Sequence, residues 1–142
     1  MKLKQLSVAC AVVCAAVSAQ AQVSSVPAAQ TIVNDAVSNG RILYISGASA
    51  VQGGLGQIAS SLFTGTNYFF TPAASTGRSA SDYRAYAGRL AVAAGGWAAN
   101  TPVIIINRAR GGSVQGVTPV ARGESIESMV VSTASCTTGL GT

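Results

Sequence analysis

Two serines stand where a strand-like run of residues gives way to a helix-like one, and both could bind an anion. Ser49 closes the stretch "YISGAS", and Ser113 closes "NRARGGS". The first N–H groups of a helix lack partners within it and carry partial positive charge, and a serine there adds a hydroxyl donor. The small neighbours Ala50 and Gly112 allow close backbone approach. The pattern predicts non-covalent binding of an oxyanion, although each serine alone is also explained as a helix N-cap.

Two arginines just before the second serine could add charge to such a site. Arg108 and Arg110 lie within "NRARGGS", and a guanidinium binds carboxylate, phosphate or sulfate through paired hydrogen bonds. The alternative is that both arginines are merely solvated. The complete set of predicted anion-binding residues is Ser49, Ala50, Arg108, Arg110, Gly112 and Ser113.

The sequence lacks the groups on which covalent or metal catalysis depends. It contains no histidine, and both of its lysines, Lys2 and Lys4, lie at the N-terminus. Neither serine therefore has a base to activate it, and "GGSVQ" has Gln115 where a nucleophile elbow requires a glycine. Four scattered carboxylates offer no metal-ligand pattern. We expect no enzymatic activity, no metal and no cofactor.

A glycine pattern supports a rival interpretation as a dinucleotide-binding oxidoreductase. "YISGAS" resembles the opening of short-chain dehydrogenases, and "GLGQIA" at residues 54–59 fits the G-x-G-x-x-A pattern. The acid expected about 20 residues later to bind a ribose is missing, since the first one after Gly54 is Asp82. No Tyr-x-x-x-Lys pair occurs. This function is the least favoured of those considered.

The N-terminal segment has the pattern of a secretory signal peptide. Lys2 and Lys4 precede the short apolar run "LSVACAVVCAAV", and "AQA" at residues 19–21 supplies small residues for cleavage. The run is too short to span a bilayer comfortably, although a retained anchor is the alternative. We expect residues 1–21 to be removed from a bacterial protein that is exported to the periplasm.

Beyond residue 21 the chain is weakly charged. It has seven arginines and four acids, a net charge of about +3, too sparse for a nucleic-acid surface. Arginine without lysine suits anion recognition, but GC-rich coding also produces it. Cys136 is the one cysteine left after the signal peptide. In an oxidising compartment this suggests a disulfide partner outside this chain and a sequence that is cut short.

The residue patterns predict two strands that each lead into a helix. "RILYIS" (41–46) is expected to be a buried strand, followed by a helix capped by Ser49 with its apolar face at Val51, Leu55, Ile58 and Leu62. "PVIIIN" (102–107) is expected to be a central strand covered on both faces. A second helix would begin at Ser113 and be ended early by Pro119, with further helical turns at 123–130.

The segments around these two units are less clearly patterned. Residues 22–40 are expected to lead into the fold. Within them, 31–40 are expected to form a short helical turn or a loop that ends in the turn Asn39-Gly40. Residues 64–82 look like a loop with "NYFF" as a short strand, and 82–97 suit helix or strand. Together the elements predict an α/β fold with a mostly parallel sheet flanked by helices, spanning 41–142 and incomplete. Both serine turns would lie at one sheet edge.

"YISGASA" and "VIIINRARGGSVQGV" resemble the two anion loops of type 2 periplasmic solute-binding proteins, specifically the phosphate-binding subgroup. The resemblance implies a first lobe of a two-lobed α/β fold that delivers its ligand to an inner-membrane ABC transporter permease. It also implies that Ser49 and Ser113 each give a hydroxyl and an N–H to the anion, with the Ala50 N–H as a third donor. The chain departs from that pattern in lacking the bulky aromatic after the first hydroxyl residue.

The sequence thus favours an exported protein that binds phosphate or a similar oxyanion for transport. The alternative is an extracellular or surface structural protein without a ligand, for which low charge and many Ser, Gly, Ala and Thr residues are typical.

Overall fold

The computed structural model describes residues 25–47, 49–72, 76–131 and 136–138, which form one mixed sheet with three helices. The predicted signal peptide lies outside these residues. No helix in the described ranges is long and apolar enough to cross a membrane. In chain order the elements are α1 (Ser25–Ser38), β1 (Ile42–Ser46), a 3-10 turn (Ser49–Val51), α2 (Gln52–Leu62), β2 (Phe63–Phe70), β3 (Tyr83–Leu90), β4 (Pro102–Arg108), α3 (Val114–Arg122) and β5 (Cys136–Thr138).

Helix α1 covers one face of the sheet, so residues 25–38 belong to the core of the domain. Its buried side chains recur on one side of the helix, at Ala29, Ile32, Val33 and Ala36. The predicted turn at residues 39–40 is confirmed. Gly40 has φ 65°, its N–H donates to Val37 O at 3.1 Å, and the Arg41 N–H donates to Ala36 O at 2.8 Å. These two bonds form a Schellman cap that directs the chain into β1.

The sheet is mixed and largely antiparallel, so the predicted mostly parallel sheet is wrong. The strand order is β1-β4-β3-β2-β5, and β1–β4 is the parallel pair in the described sheet. The reason lies in residues 63–90. They form the strands β2 and β3, whereas their sequence predicts a loop followed by a segment that suits helix or strand. The connection from β3 to β4, residues 91–101, folds back on itself through a bridge between Ala94 and Trp97. A parallel pair would need a long crossover there instead.

Strand β4 is central and covered on both faces, as predicted. Ile104 and Ile106 point to the face covered by α1, and Val103 and Ile105 point to the face covered by α2. Strand β1 is an edge strand, because β4 is its one neighbour in the described sheet. The prediction that β1 is buried is therefore wrong: Tyr44 is 59% exposed.

Helix α2 begins later than predicted. Ser49 starts the 3-10 turn, and the N-cap of α2 is Val51, whose side chain makes no capping hydrogen bond. Of the predicted apolar face, Leu55 is buried whereas Val51 and Ile58 are exposed. Gly54 meets nothing within 4 Å of where a Cβ would lie, so this glycine is tolerated rather than required by packing.

Helix α3 continues through Pro119, contrary to the predicted early end, and stops at Gly123 in the left-handed conformation. A proline has no N–H for the carbonyl four residues earlier, which here belongs to Gln115. The Ser46 hydroxyl donates to that carbonyl oxygen at 3.1 Å. The last residue of β1 thus supplies the hydrogen bond that the proline removes and fastens α3 to the sheet edge.

We expect Ser46→Ala to destabilise the protein by about 1 kcal/mol, because it leaves the Gln115 carbonyl without its donor. In a Pro119→Ala background the restored N–H can serve that carbonyl, so the same substitution should cost much less. Urea unfolding of the four variants in this cycle measures the coupling. Equal costs of Ser46→Ala in both backgrounds would contradict the compensation.

Residues 124–131 have no regular structure, so the further helical turns predicted at 123–130 are wrong. Long-range contacts hold this segment instead. Glu127 forms an ion pair with Arg78, whose Nη1 also donates to Ser128 O at 3.0 Å. The Tyr83 hydroxyl donates to Glu127 Oε2 at 3.3 Å, and Met129 is buried in the core beneath α1. The segment therefore lies fixed along the sheet.

Candidate functional site

The two serine turns meet at one edge of the sheet, as the sequence predicted. Ser46 and Arg108 end the parallel strands β1 and β4 and are register partners. The Gly47 N–H donates to Arg108 O at 3.1 Å and extends the pairing into the first turn. Because both strands run the same way, α2 and α3 also begin at this edge. The parallel pair therefore supplies the arrangement that an anion site at this edge requires.

The glycines of these turns let two backbones approach each other. A Cβ on Gly116 would lie 2.7 Å from Ser46 O and 2.9 Å from the Gly47 Cα, closer than packed atoms allow. Gly47 itself has φ 147°, which side chains rarely adopt. The first turn of α3 thus packs directly on the turn that follows β1. We predicted that small residues at these turns would let an anion approach the backbone. In the structure they let a second backbone approach instead.

The predicted serines are both accessible, and among the described residues neither is a side-chain cap of α2 or α3. Ser49 and Ala50 are exposed in the 3-10 turn. Ser113 is exposed at the N-cap position of α3, as predicted, but makes no side-chain capping bond. A serine that does not cap its own helix keeps its hydroxyl for another acceptor.

Several backbone donors at the second turn are already used. The N–H of Gly112 donates to Ala109 O at 3.1 Å, that of Gln115 to Gly112 O at 3.1 Å, and that of Gly116 to Ser113 O at 3.0 Å. Gly112, with φ 64°, is suited to shaping the turn. The donors that remain for an anion are therefore mainly side chains.

The two predicted arginines have different environments. Arg110 lies 3.9 Å from Glu127, and its pKa is raised, chiefly by a hydrogen bond with Tyr83 and then by the nearby Glu127 charge. Arg108 is half-buried, and its Nη1 donates to Arg110 O at 2.9 Å. Its Nε is shielded from solvent and has no acceptor among the described residues. Arg110 is therefore paired in charge with Glu127, whereas Arg108 faces no carboxylate within ion-pair distance among the described residues.

A groove of about 640 Å³ runs from this edge along the sheet between α3 and the segment 124–131. Strand alternation places Arg108 on the same face as Ile106, so its side chain lines the groove. We call this space the groove. Its lining includes Tyr44, Ser46, Ile106, Arg108, Val120, Ile126 and Glu127.

The sequence did not predict the buried polar groups on the face of β4 opposite Arg108. Asn107 is 2% exposed, and its Nδ2 donates weakly to Ile45 O at 3.4 Å. The Asn107 Oδ1, Gln52 Nε2 and Tyr86 Oη atoms are buried without partners among the described residues. A lone polar residue closing the apolar run "PVIIIN" was the available signal for Asn107.

The glycine pattern at residues 54–59 and Cys136 do not form a binding site among the described residues. Residues 54–59 lie inside α2 rather than at the strand-to-helix turn where a pyrophosphate binds. Within the described ranges, no three His, Cys, Asp or Glu residues are grouped closely enough to hold a metal. The backbone of Cys136 lies in β5, and its predicted disulfide lies outside the described side chains.

Comparisons of this chain with protein-family models, with curated proteins and with solved structures found no match.

Proposed function

We propose that this is an exported solute-binding protein that holds phosphate or a similar oxyanion at the edge formed by β1 and β4. The observation that carries the proposal is the register pairing of Ser46 with Arg108. It brings the turns containing Ser49 and Ser113 to one sheet edge. Exposed hydroxyls, a guanidinium with spare donors and two helix N-termini that add positive potential then lie along the same edge.

The mechanism is reversible binding without covalent chemistry. Hydroxyls and the Arg108 guanidinium donate to the anion oxygens, while Arg110, which is engaged by Glu127 and Tyr83, contributes charge from a distance. Delivery to an inner-membrane ABC transporter follows from the resemblance of the two loop sequences and belongs to the same proposal.

We expect phosphate to raise the melting temperature of the full chain when titrated to saturation. A ligand at 100 times its dissociation constant adds about 2.7 kcal/mol if it binds the folded state alone. Sulfate and a neutral sugar test selectivity by the same thermal unfolding assay. Ser49→Ala and Ser113→Ala should each reduce the shift, whereas Ser61→Ala should not, because Ser61 lies near the far end of α2 and bonds Ile58 O at 2.9 Å.

A structural role is the second candidate, and exposed apolar residues favour it. In the described sheet β1 has no neighbour on its outer side, and its Leu43 and Tyr44 are exposed. Helix α3 exposes Val114, Val117 and Val120 along one side. Such surfaces commonly mediate association. No thermal shift with any anion, together with concentration-dependent sedimentation, would reject the binding proposal and support this role.

A further inference from the structure

We propose that the groove binds an organic monocarboxylate with an apolar body, and that its carboxylate pairs with Arg108. This inference rests on the proposed function, since it takes the oxyanion bound at the β1–β4 edge to be the head group of a larger molecule. Its grounds are the size of the groove, the character of its walls and the state of Arg108.

The size and lining of the groove suit a small organic molecule. Its volume of about 640 Å³ falls within the range of about 300–1,000 Å³ found for small-molecule sites. Tyr44, Ile106, Val120 and Ile126 give apolar walls along most of its length. Val120 is 80% exposed, and an apolar ligand body would shield this side chain from water. Inorganic phosphate would make no use of these walls.

Arg108 gives the groove a charged end. Its guanidinium has five N–H groups, and the structure shows one acceptor for them, Arg110 O. Its Nε–H is shielded from solvent and has no acceptor in the described part of the chain, so the Arg110 carbonyl uses only part of the donor capacity of the guanidinium. A carboxylate at this end would accept hydrogen bonds from the guanidinium and neutralise its charge.

The other charge that lines the groove does not oppose an anion. Glu127 belongs to the lining, but its carboxylate is shared among Arg78, Arg110 and the Tyr83 hydroxyl. Two arginines therefore balance one carboxylate, and Arg108 adds a further positive charge. Charge complementarity favours an acidic ligand over a neutral or basic one.

Calorimetric titration of the full chain with hexanoate, acetate, hexanamide and inorganic phosphate tests the inference. Hexanoate should bind at least tenfold more tightly than acetate, since each buried methylene contributes about fourfold in affinity. It should also exceed hexanamide by at least tenfold, because the amide lacks the charge. These four probes separate the head group, the charge and the apolar body.

Three variants assign the binding to the groove, with melting curves to confirm that each is folded. Arg108→Gln should weaken hexanoate binding by about tenfold to hundredfold and leave hexanamide binding unchanged. Val120→Glu places a like charge at the rim of the groove, on a side chain too exposed to threaten folding, and should also weaken hexanoate. Arg122→Gln is the matched control, since Arg122 is exposed at the end of α3 beside Glu124.

The outcomes distinguish this inference from the proposed function. If phosphate binds through Ser49 and Ser113 while hexanoate binds no better than acetate or hexanamide, the organic ligand is rejected and the oxyanion site stands. If no anion binds, both proposals fail. Loss of hexanoate binding in Arg122→Gln to the same extent as in Arg108→Gln would reject the groove as the site.

Discussion

Replacing Gly116 by alanine is expected to destabilise the protein by about 1–3 kcal/mol, as overpacking of a fixed contact does. The new Cβ would lie 2.7 Å from Ser46 O and 2.9 Å from the Gly47 Cα. Both are backbone atoms, so no side-chain rotation can make room. Either α3 moves away from β1, or the turn that carries Ser49 shifts. Anion binding at that edge should therefore weaken together with stability.

Gly54→Ala provides the matched control for this prediction. Gly54 also lies in a helix, but a Cβ there meets nothing within 4 Å, so alanine should stabilise α2 by up to about 1 kcal/mol. Urea unfolding of the full chain compares the two variants. If both glycine-to-alanine changes stabilise the protein equally, α3 does not pack on the β1 turn as described.

The sequence predicted correctly those strands that consist of a continuous run of β-branched and apolar residues. The runs of β-branched and apolar residues at 41–46 and 102–107 predicted two strands, and the structure contains both, as Ile42–Ser46 and Pro102–Arg108. Their pairing is parallel, and each leads to a helix at the same edge. The anion-site prediction depended on this half of the fold, which explains why Ser49 and Ser113 lie at a common edge.

The antiparallel strands could not be predicted from the sequence, because the composition of β3 suits both a helix and a strand. "YRAYAGRL" mixes alanine, arginine and leucine, which favour helices, with tyrosine, which favours strands. Its neighbours β2 and β4 decide between them by offering hydrogen bonds on both sides. A mostly parallel sheet is expected only if a helix follows each strand, and β2 is instead followed by the antiparallel strand β3.

The groove could not be predicted from the sequence, for a different physical reason. One of its walls is the segment 124–131, which short-range patterns predicted as helix. Its position is set by Arg78 and Tyr83, 49 and 44 residues before Glu127 in the chain, and by burial of Met129. Contacts between residues so far apart in the chain produce no periodic pattern in the sequence. The two faces of β4, in contrast, follow from strand alternation, so the pointing of Arg108 and Asn107 was predictable once the strand was recognised.

Replacing Gly88 by alanine is expected to cost about 3 kcal/mol, near the upper end of the range for overpacked cores. Gly88 lies in β3 beneath the buried ring of Phe63. A Cβ on Gly88 would lie 2.5 Å from Phe63 Cγ, 2.7 Å from Cδ2 and 2.9 Å from Cβ. The Phe63 Cβ is fixed by the backbone of β2, so rotation of the ring relieves only part of the clash.

The local strand geometry explains why a glycine is needed at this point. Strand β2 has a register irregularity between Thr64 and Tyr68, opposite the part of β3 that contains Gly88. An irregularity of this kind disrupts the ladder and bends the strand. The Phe63 ring then covers the strand surface that a glycine leaves open, an arrangement that also supports glycines in designed sheets. The pair should thus behave as a unit.

A double-mutant cycle with Phe63→Ala tests that unit. Phe63→Ala alone should cost about 3–5 kcal/mol because it removes a buried ring. Adding Gly88→Ala to that variant should cost less than it does in the parent protein, because the clashes with Cγ and Cδ2 are gone and the clash with the Cβ of residue 63, at 2.9 Å, remains. A coupling of about 1–2 kcal/mol should result. Urea unfolding at equilibrium gives the four free energies. Additive costs would mean that the ring does not lie over Gly88, and the register of β2 against β3 would have to be reconsidered.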